Sequence, residues 1–262
     1  MKFIDYKICN NDISNLNDIL NIDGALIINN FLDDKKLSIL KNEFRDILQI
    51  YSKSPGFIKS KGTSMASILL DNENKKSFFK KYQVLENAIL ESQKILKFNN
   101  SFKDSILFIY VHQDNHKINI NTRWHSDPTD IVKFFITLDD ATERNGVTDI
   151  SLGSHNDSLY RYKYRDSSLF WKRLMSDGTI FRREELVFNK SSSSRNKGDL
   201  LIFRTGTFHK AGKIDQNLSR MCIRWWWEPI PKNIFSIYLF SKIKYYLKRF
   251  LSIFLKEFEF YL

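Results

Sequence analysis

Cysteine is nearly missing from the chain: Cys9 and Cys222 are its two thiols in 262 residues, far apart and in no metal-like spacing. A disulfide framework is therefore not indicated, and both read as small buried or half-buried residues of a protein kept in a reducing cytosol. An N-terminal apolar run is also lacking. The opening "MKFIDYKICNNDISNLND" turns polar before the hydrophobic region of a signal peptide can form, so export is not expected. Charge interrupts the apolar residues too often for a membrane span, and no internal repeat recurs.

What is present defines a soluble, globular chain. Hydrophobic residues make up 42% and aromatics 15%, enough for one substantial core rather than a disordered chain. The formal charge of +11 calls for negative partners: nucleic acid, an anionic membrane face or a phosphorylated substrate. The positive residues are dispersed and match no nucleic-acid-reading motif beyond one Tyr/Arg run, which argues against nucleic acid.

Near the start, "DGALIINNFLDDKKLSILKNEFRDIL" reads as a strand, a turn and an amphipathic helix. Asp33 or Asp34 caps that helix, and Leu37, Leu40, Phe44, Ile47 or Leu48, and Tyr51 form its apolar stripe. A second helix is expected over 75–97 on Phe78, Phe79, Tyr82, Leu85, Ile89 and Ile95. From about residue 105 the pattern changes to short β-like runs: "SILFIYV", "TRWHSD", "IVKFFITLDD", "VTDISL", "DLLIFRT" and "RMCIRWWWE", separated by turn residues. The expected fold is mainly β with flanking helices, as a sandwich or jelly roll. A domain over 1–230 carries a lid insertion at 156–197, and a basic amphipathic helical tail follows at 231–262.

The stretch "RWHSDPTD" holds the first candidate site residues. His125 and Asp127, two apart on extended chain, point to one side because strand side chains alternate. A third ligand is sought on a later strand. His209 lies just beyond the apolar run of "GDLLIFRTGTFHKAG", while His112, His116 and His155 are alternative nitrogens. Two imidazoles and a carboxylate on one face of an iron leave positions open for a co-substrate and O2. Arg220, eleven residues beyond His209, would grip a carboxylate in two parallel hydrogen bonds, and Arg224 shares its strand parity and is a rival.

Taken in order, "DGALIINNFLDDKKLSILKNEF", "WHSD", "ERNGVTDISLGSH", "GDLLIFRTGTFHKAG" and "NLSRMCIRW" resemble the phytanoyl-CoA dioxygenase-like (PhyH) family of Fe(II)/2-oxoglutarate-dependent oxygenases, over roughly 20–228. The resemblance implies a double-stranded β-helix (jelly roll, cupin-like) core. It also implies His125, Asp127 and His209 as catalytic iron ligands, Arg220 as anchor of 2-oxoglutarate, and Phe135 as an aromatic beside that co-substrate. "LGSH" matches the family's Pro-Gly-Ser-His turn with leucine in place of proline, and His155 there reads as structural. Asn217 and Ser219 sit closer to the arginine than in the family, which keeps Arg224 in contention. The chemistry implied is oxidative decarboxylation of 2-oxoglutarate to succinate and CO2, with ascorbate as a supporting reductant. Because Asp127 is present, hydroxylation is expected rather than halogenation.

Within the insertion, Tyr160, Arg161, Tyr162, Lys163, Tyr164 and Arg165 alternate aromatic with basic side chains, suited to a small anionic substrate: a sugar, a glycolipid, a lipid or an acyl thioester. A solvated edge strand explains the same run. The tail after Pro231 suits an anionic lipid surface, a dimer contact or docking on the barrel, so the cytoplasmic chain is expected to be free or peripheral to the inner face of a membrane. Oligomeric state is open. Two other readings are a non-catalytic jelly-roll binding protein and a nucleic-acid-associated protein.

Overall fold

A computed structural model describes residues 1–5, 13–52, 57–60, 63–70, 74–96, 105–115, 123–127, 131–156, 180–182, 184–215 and 217–229. Four helices are present among them: α1 (Ile13–Ile22), α2 (Asp34–Tyr51), α3 (Lys75–Lys81) and α4 (Gln83–Ile95). The strands are β1 (Lys2–Asp5), β2 (Ala25–Asn29), β3 (Phe57–Ser60), β4 (Thr63–Leu70), β5 (Ser105–Asn115), β6 (Trp124–Ser126), β7 (Val132–Thr137), β8 (Thr148–Ser151), β9 (Ile180–Arg182), β10 (Lys190–Ser192), β11 (Leu200–Arg204), β12 (His209–Ala211) and β13 (Ser219–Pro229).

These strands form two sheets. The larger runs β1-β2-β11-β7-β13-β5-β4-β3 and the smaller β10-β8-β12-β6-β9. Alternation along β13 shows how they are layered. Ile223, Trp225 and Trp227 join a large core with Leu40, Phe44 and Ile47 of α2 and Leu85 and Ile89 of α4. Cys222, on the opposite face, packs with Phe135, Phe203 and Leu201, and with Ile150 from the smaller sheet. Helices therefore cover one face of the larger sheet, and the smaller sheet lies over the other, as expected of the jelly roll.

The helical face is closed by Trp225, fully buried, whose ring stacks on Phe134 at 5.7 Å and whose Nε1 donates to Ser92 Oγ at 3.2 Å. Asp33 is the cap of α2, accepting from the Lys36 amide at 2.7 Å, and Ile47 rather than Leu48 is fully buried. The single helix expected over 75–97 is two. Tyr82 leaves helical geometry at φ −119° and ψ 67°, and its hydroxyl donates to Asp46 of α2 at 2.7 Å. Glu43, also on α2, then accepts the Val84 and Leu85 amides at 3.0 and 2.9 Å, satisfying exposed donors at the start of α4.

The expected lid over 156–197 is not uniform. Residues 157–179, and with them Tyr160, Arg161, Tyr162, Lys163, Tyr164 and Arg165, lie outside the described residues. After them, β9 pairs with β6 and β10 with β8, so this part of the stretch belongs to the smaller sheet. The tail at 231–262 also lies outside the described residues.

Candidate metal centre and co-substrate cavity

His125 of β6 and His209 of β12 are direct cross-strand partners in the smaller sheet. Their rings sit 4.3 Å apart, 93% buried each. Strand β6 ends at Ser126, and the next amide, that of Asp127, donates to the Thr205 carbonyl at 2.9 Å. Asp127 Oδ1 lies 4.0 Å from His125 Nε2, and one ligand atom from each of the three residues falls within 4.8 Å of the others.

Both imidazoles are set for a metal by the same device. His125 Nδ1 is 2.8 Å from the Arg123 carbonyl, and His209 Nδ1 is 2.8 Å from the Thr207 carbonyl. A carbonyl only accepts, so each Nδ1 carries a proton, and in the neutral ring the lone pair is on Nε2. Burial, followed by the neighbouring His125, pushes His209 down to about 3, which keeps it neutral. Burial alone would raise the Asp127 carboxyl, but the positive charges around it, the Lys133 ammonium first, outweigh burial and hold it below the ordinary carboxylate range. Lys133 Nζ contacts Asp127 Oδ2 at 2.5 Å, so one carboxylate oxygen is occupied and the other faces the histidines.

Lys133 has no counterpart among the sequence-derived candidates. Its signal is parity: in "VKFFIT" it shares a strand face with Phe135 and Thr137, an interior position where a cation is unusual. The same face of the larger sheet carries both candidate arginines. Arg224 stands opposite Phe135 in register, its guanidinium carbon 5.9 Å from that ring and 4.9 Å from the ring of Tyr110. Arg220 donates to the Gly146 carbonyl, beyond Cys222 along the strand. Phe135 bridges to Phe203 at 5.2 Å, and Phe203 meets the His209 ring edge-on at 4.9 Å, closing the apolar side of the centre.

Between these arginines the interior is polar. Thr137 and His112 flank Cys222 in register, and burial of the Cys222 thiol is outweighed by His112, Arg220 and Arg195, which pull it below its usual range. Thr137 Oγ1 is 1% exposed and has no hydrogen-bond partner among the described residues. Such an orphan donor beside a guanidinium fits a ligand carboxylate. The donor set of the triad likewise fits a ferrous ion, so the residues between the sheets suit both iron and 2-oxoglutarate.

His155 holds the turn rather than the metal: its Nε2 approaches the Asn21 carbonyl at 3.0 Å, and Ser154 Oγ accepts the Phe208 amide at 2.8 Å, next to His209. His112 lies on β5 away from the triad, and His116 falls outside the described residues.

A jelly roll that gathers two imidazoles of its smaller sheet and a carboxylate on one face is a non-haem metal oxygenase framework. The family model described as Phytanoyl-CoA dioxygenase (PhyH) matches residues 20–222. The chain belongs to this family of Fe(II)/2-oxoglutarate-dependent oxygenases and is an enzyme of that type. No curated protein matches the chain. Solved structures share the fold at low identity. The epimerase SnoN, in complex with Fe3+, alpha ketoglutarate and nogalamycin RO, is 13% identical over 83% of each chain, with a TM-score of 0.55. EvdO2 from Micromonospora carbonacea var. aurantiaca, complexed with 2-oxoglutarate, is 14% identical over 82% of this chain and 93% of its own, with a TM-score of 0.53. The dioxygenase for auxin oxidation in rice is 10% identical over 89% of this chain and 84% of its own, with a TM-score of 0.53.

Proposed function

We propose that this oxygenase is a hydroxylase of a small anionic substrate, with His125, Asp127 and His209 holding the iron. The observation that carries the reading is the convergence of the three ligand atoms within 4.8 Å, with both Nδ1 atoms already committed to backbone carbonyls. Bound iron and 2-oxoglutarate supply the oxygen activation, with release of succinate and CO2. The protein's own residues do the rest. Lys133 occupies one oxygen of Asp127 and so presents the other. Arg220 anchors the far carboxylate of the keto acid, with Thr137 as a second donor, while Phe135 and Phe203 keep water from the apolar side.

SnoN is seen in complex with nogalamycin RO, which supports a small-molecule substrate rather than a macromolecule. An intact carboxylate in the triad supports hydroxylation. The net charge of +11 supports an anion, and the Tyr160–Arg165 run is the lid's contribution to binding it. The 231–262 tail forms a second unit that brings a cytoplasmic enzyme to an anionic membrane face, tested by co-flotation with anionic vesicles and its loss on truncation after Pro231.

Succinate formation from 2-oxoglutarate, Fe(II) and ascorbate tests the core proposal. Wild type turns over, and His209→Ala does not. A wild-type protein that releases no succinate under any condition is instead a binding protein on the same scaffold.

A further inference from the structure

Beyond the triad, the interior face of the larger sheet continues across β13 onto β5 and β4, and its burial falls along the way. Phe135 is 9% and Trp226 7% exposed, Phe108 and Tyr110 are half-buried, and Leu69 of β4 is 51% exposed. The face thus opens from the metal centre toward solvent. Along that slope the side chains alternate between rings and cations. Phe108 and Trp226, partners in register, stack at 5.3 Å with 3° between their planes, and Tyr110 stacks on the same indole at 4.9 Å and 19°. Lys133 Nζ lies 5.0 Å over the Trp226 ring while it contacts Asp127, so the aromatic stack begins one side chain from the triad. Arg224 lies over Tyr110 in the next row.

We infer that Phe108, Tyr110, Trp226 and Arg224 form the surface that holds the substrate, and that it takes a ring-bearing anion. The ring, a sugar or an arene, lies against the aromatic edges, and its phosphate or carboxylate pairs with the Arg224 fork. The argument is one of charge and place. The Tyr110 and Phe135 rings and Met65 Sδ, at 3.9 Å from Arg224 Nη2, hold this guanidinium in place on the inner sheet face, where its planar fork suits a phosphate or carboxylate. Two arginines share this face, and one keto acid needs only one of them. Arg220, four residues earlier on β13 and held by the Gly146 carbonyl, serves the co-substrate, and Arg224, in the row of Tyr110 next to Trp226, serves the substrate. The inference rests on the oxygenase reading above and adds residues and a substrate chemistry to it.

The test uses full-length enzyme loaded with Ni(II) in place of iron and with 2-oxoglutarate, so that binding is read without turnover. Phenyl phosphate, glucose 6-phosphate, phenylacetate and their neutral counterparts benzyl alcohol and glucose are titrated by calorimetry and tryptophan fluorescence. At least one anion is expected to bind and to quench fluorescence, with its neutral counterpart roughly tenfold weaker or more. Arg224→Gln is expected to weaken that anion by about tenfold or more while 2-oxoglutarate affinity stays within about twofold. Arg224→Lys, which keeps the charge and loses the planar fork, retains part of the affinity and remains informative should the glutamine variant fold poorly. Equal binding of anions and neutral counterparts, or no binding of either, overturns the inference while wild-type 2-oxoglutarate binding keeps the oxygenase reading intact. Loss of 2-oxoglutarate affinity in Arg224→Gln also overturns it, because Arg224 is then the co-substrate anchor. Failure of the wild type to bind 2-oxoglutarate removes both readings.

Discussion

Asp127→Asn changes one atom and separates two effects at the metal centre. In the native protein Asp127 Oδ2 accepts from Lys133 Nζ at 2.5 Å, with side-chain exposures of 20% and 16%. Asparagine keeps an oxygen for either the lysine or the metal, and its other atom becomes a donor that cannot face the ammonium. The variant therefore leaves a mostly buried cation without a negative charge at position 127. Breaking a fully buried pair from one side costs about 3–5 kcal/mol, and the residual exposure here discounts that to about 2–3 kcal/mol in the metal-free protein. Lys133→Met alone strands the carboxylate at similar cost. The double variant strands neither charge, so it should be less destabilised than the sum of the single changes by about 2 kcal/mol. Urea denaturation of the four metal-free proteins measures this cycle. Additivity within about 0.5 kcal/mol would refute the pairing on which the presentation of Asp127 depends. In parallel, Ni(II) titration should show metal affinity down by at least about tenfold in Asp127→Asn.

Other perturbations follow from the same geometry. Glu43→Gln leaves one of the Val84 and Leu85 amides without an acceptor at the start of α4, costing about 1–2 kcal/mol in chemical denaturation; a change under about 0.5 kcal/mol would mean the helix start is satisfied otherwise. His209 titrates at about 3 when folded and near its ordinary value when unfolded. The unfolded chain therefore binds more protons between those values, and stability falls as pH drops below about 6.5. Metal-free protein should lose about 2 kcal/mol from pH 7 to pH 5, and His209→Gln should flatten that slope. Gly24 has a φ of +78°, and a methyl there would overlap the Thr207 hydroxyl and stand 2.6 Å from His155 Nδ1. Gly24→Ala should therefore lower both the melting temperature and Ni(II) affinity, because the Thr207 carbonyl orients His209; unchanged metal affinity in a folded variant would disconnect the two.

The parts of this protein that local pattern could specify were legible in its sequence. The α2 stripe and its Asp33 cap follow from helical spacing, and the i, i+2 spacing of His125 and Asp127 does mark two of the three grouped residues, although β6 ends at Ser126 and Asp127 lies just past it. His209 needed the apolar run before it and the family resemblance, since which strand returns to which depends on topology. The break at Tyr82 was not legible, because it is made by Asp46 and Glu43, some forty residues away on α2. Strand β4, "TSMASILL", mixes small and polar residues on a half-covered face and gives little periodic signal. Short strands β9, β10 and β12 have three residues each, too few for alternation to register. Lys133 was visible as a charge with interior parity, but its partner lies six residues back, outside β7, where strand alternation does not reach.

The two histidines belong to the smaller sheet, whereas Arg220, Arg224 and Thr137 belong to the larger. A keto acid chelated at one end and ion-paired at the other would be a rivet between the two halves of the sandwich. Loading the active site would then tighten the whole barrel, so that amide exchange would slow in both layers together, far from any atom that the ligand touches.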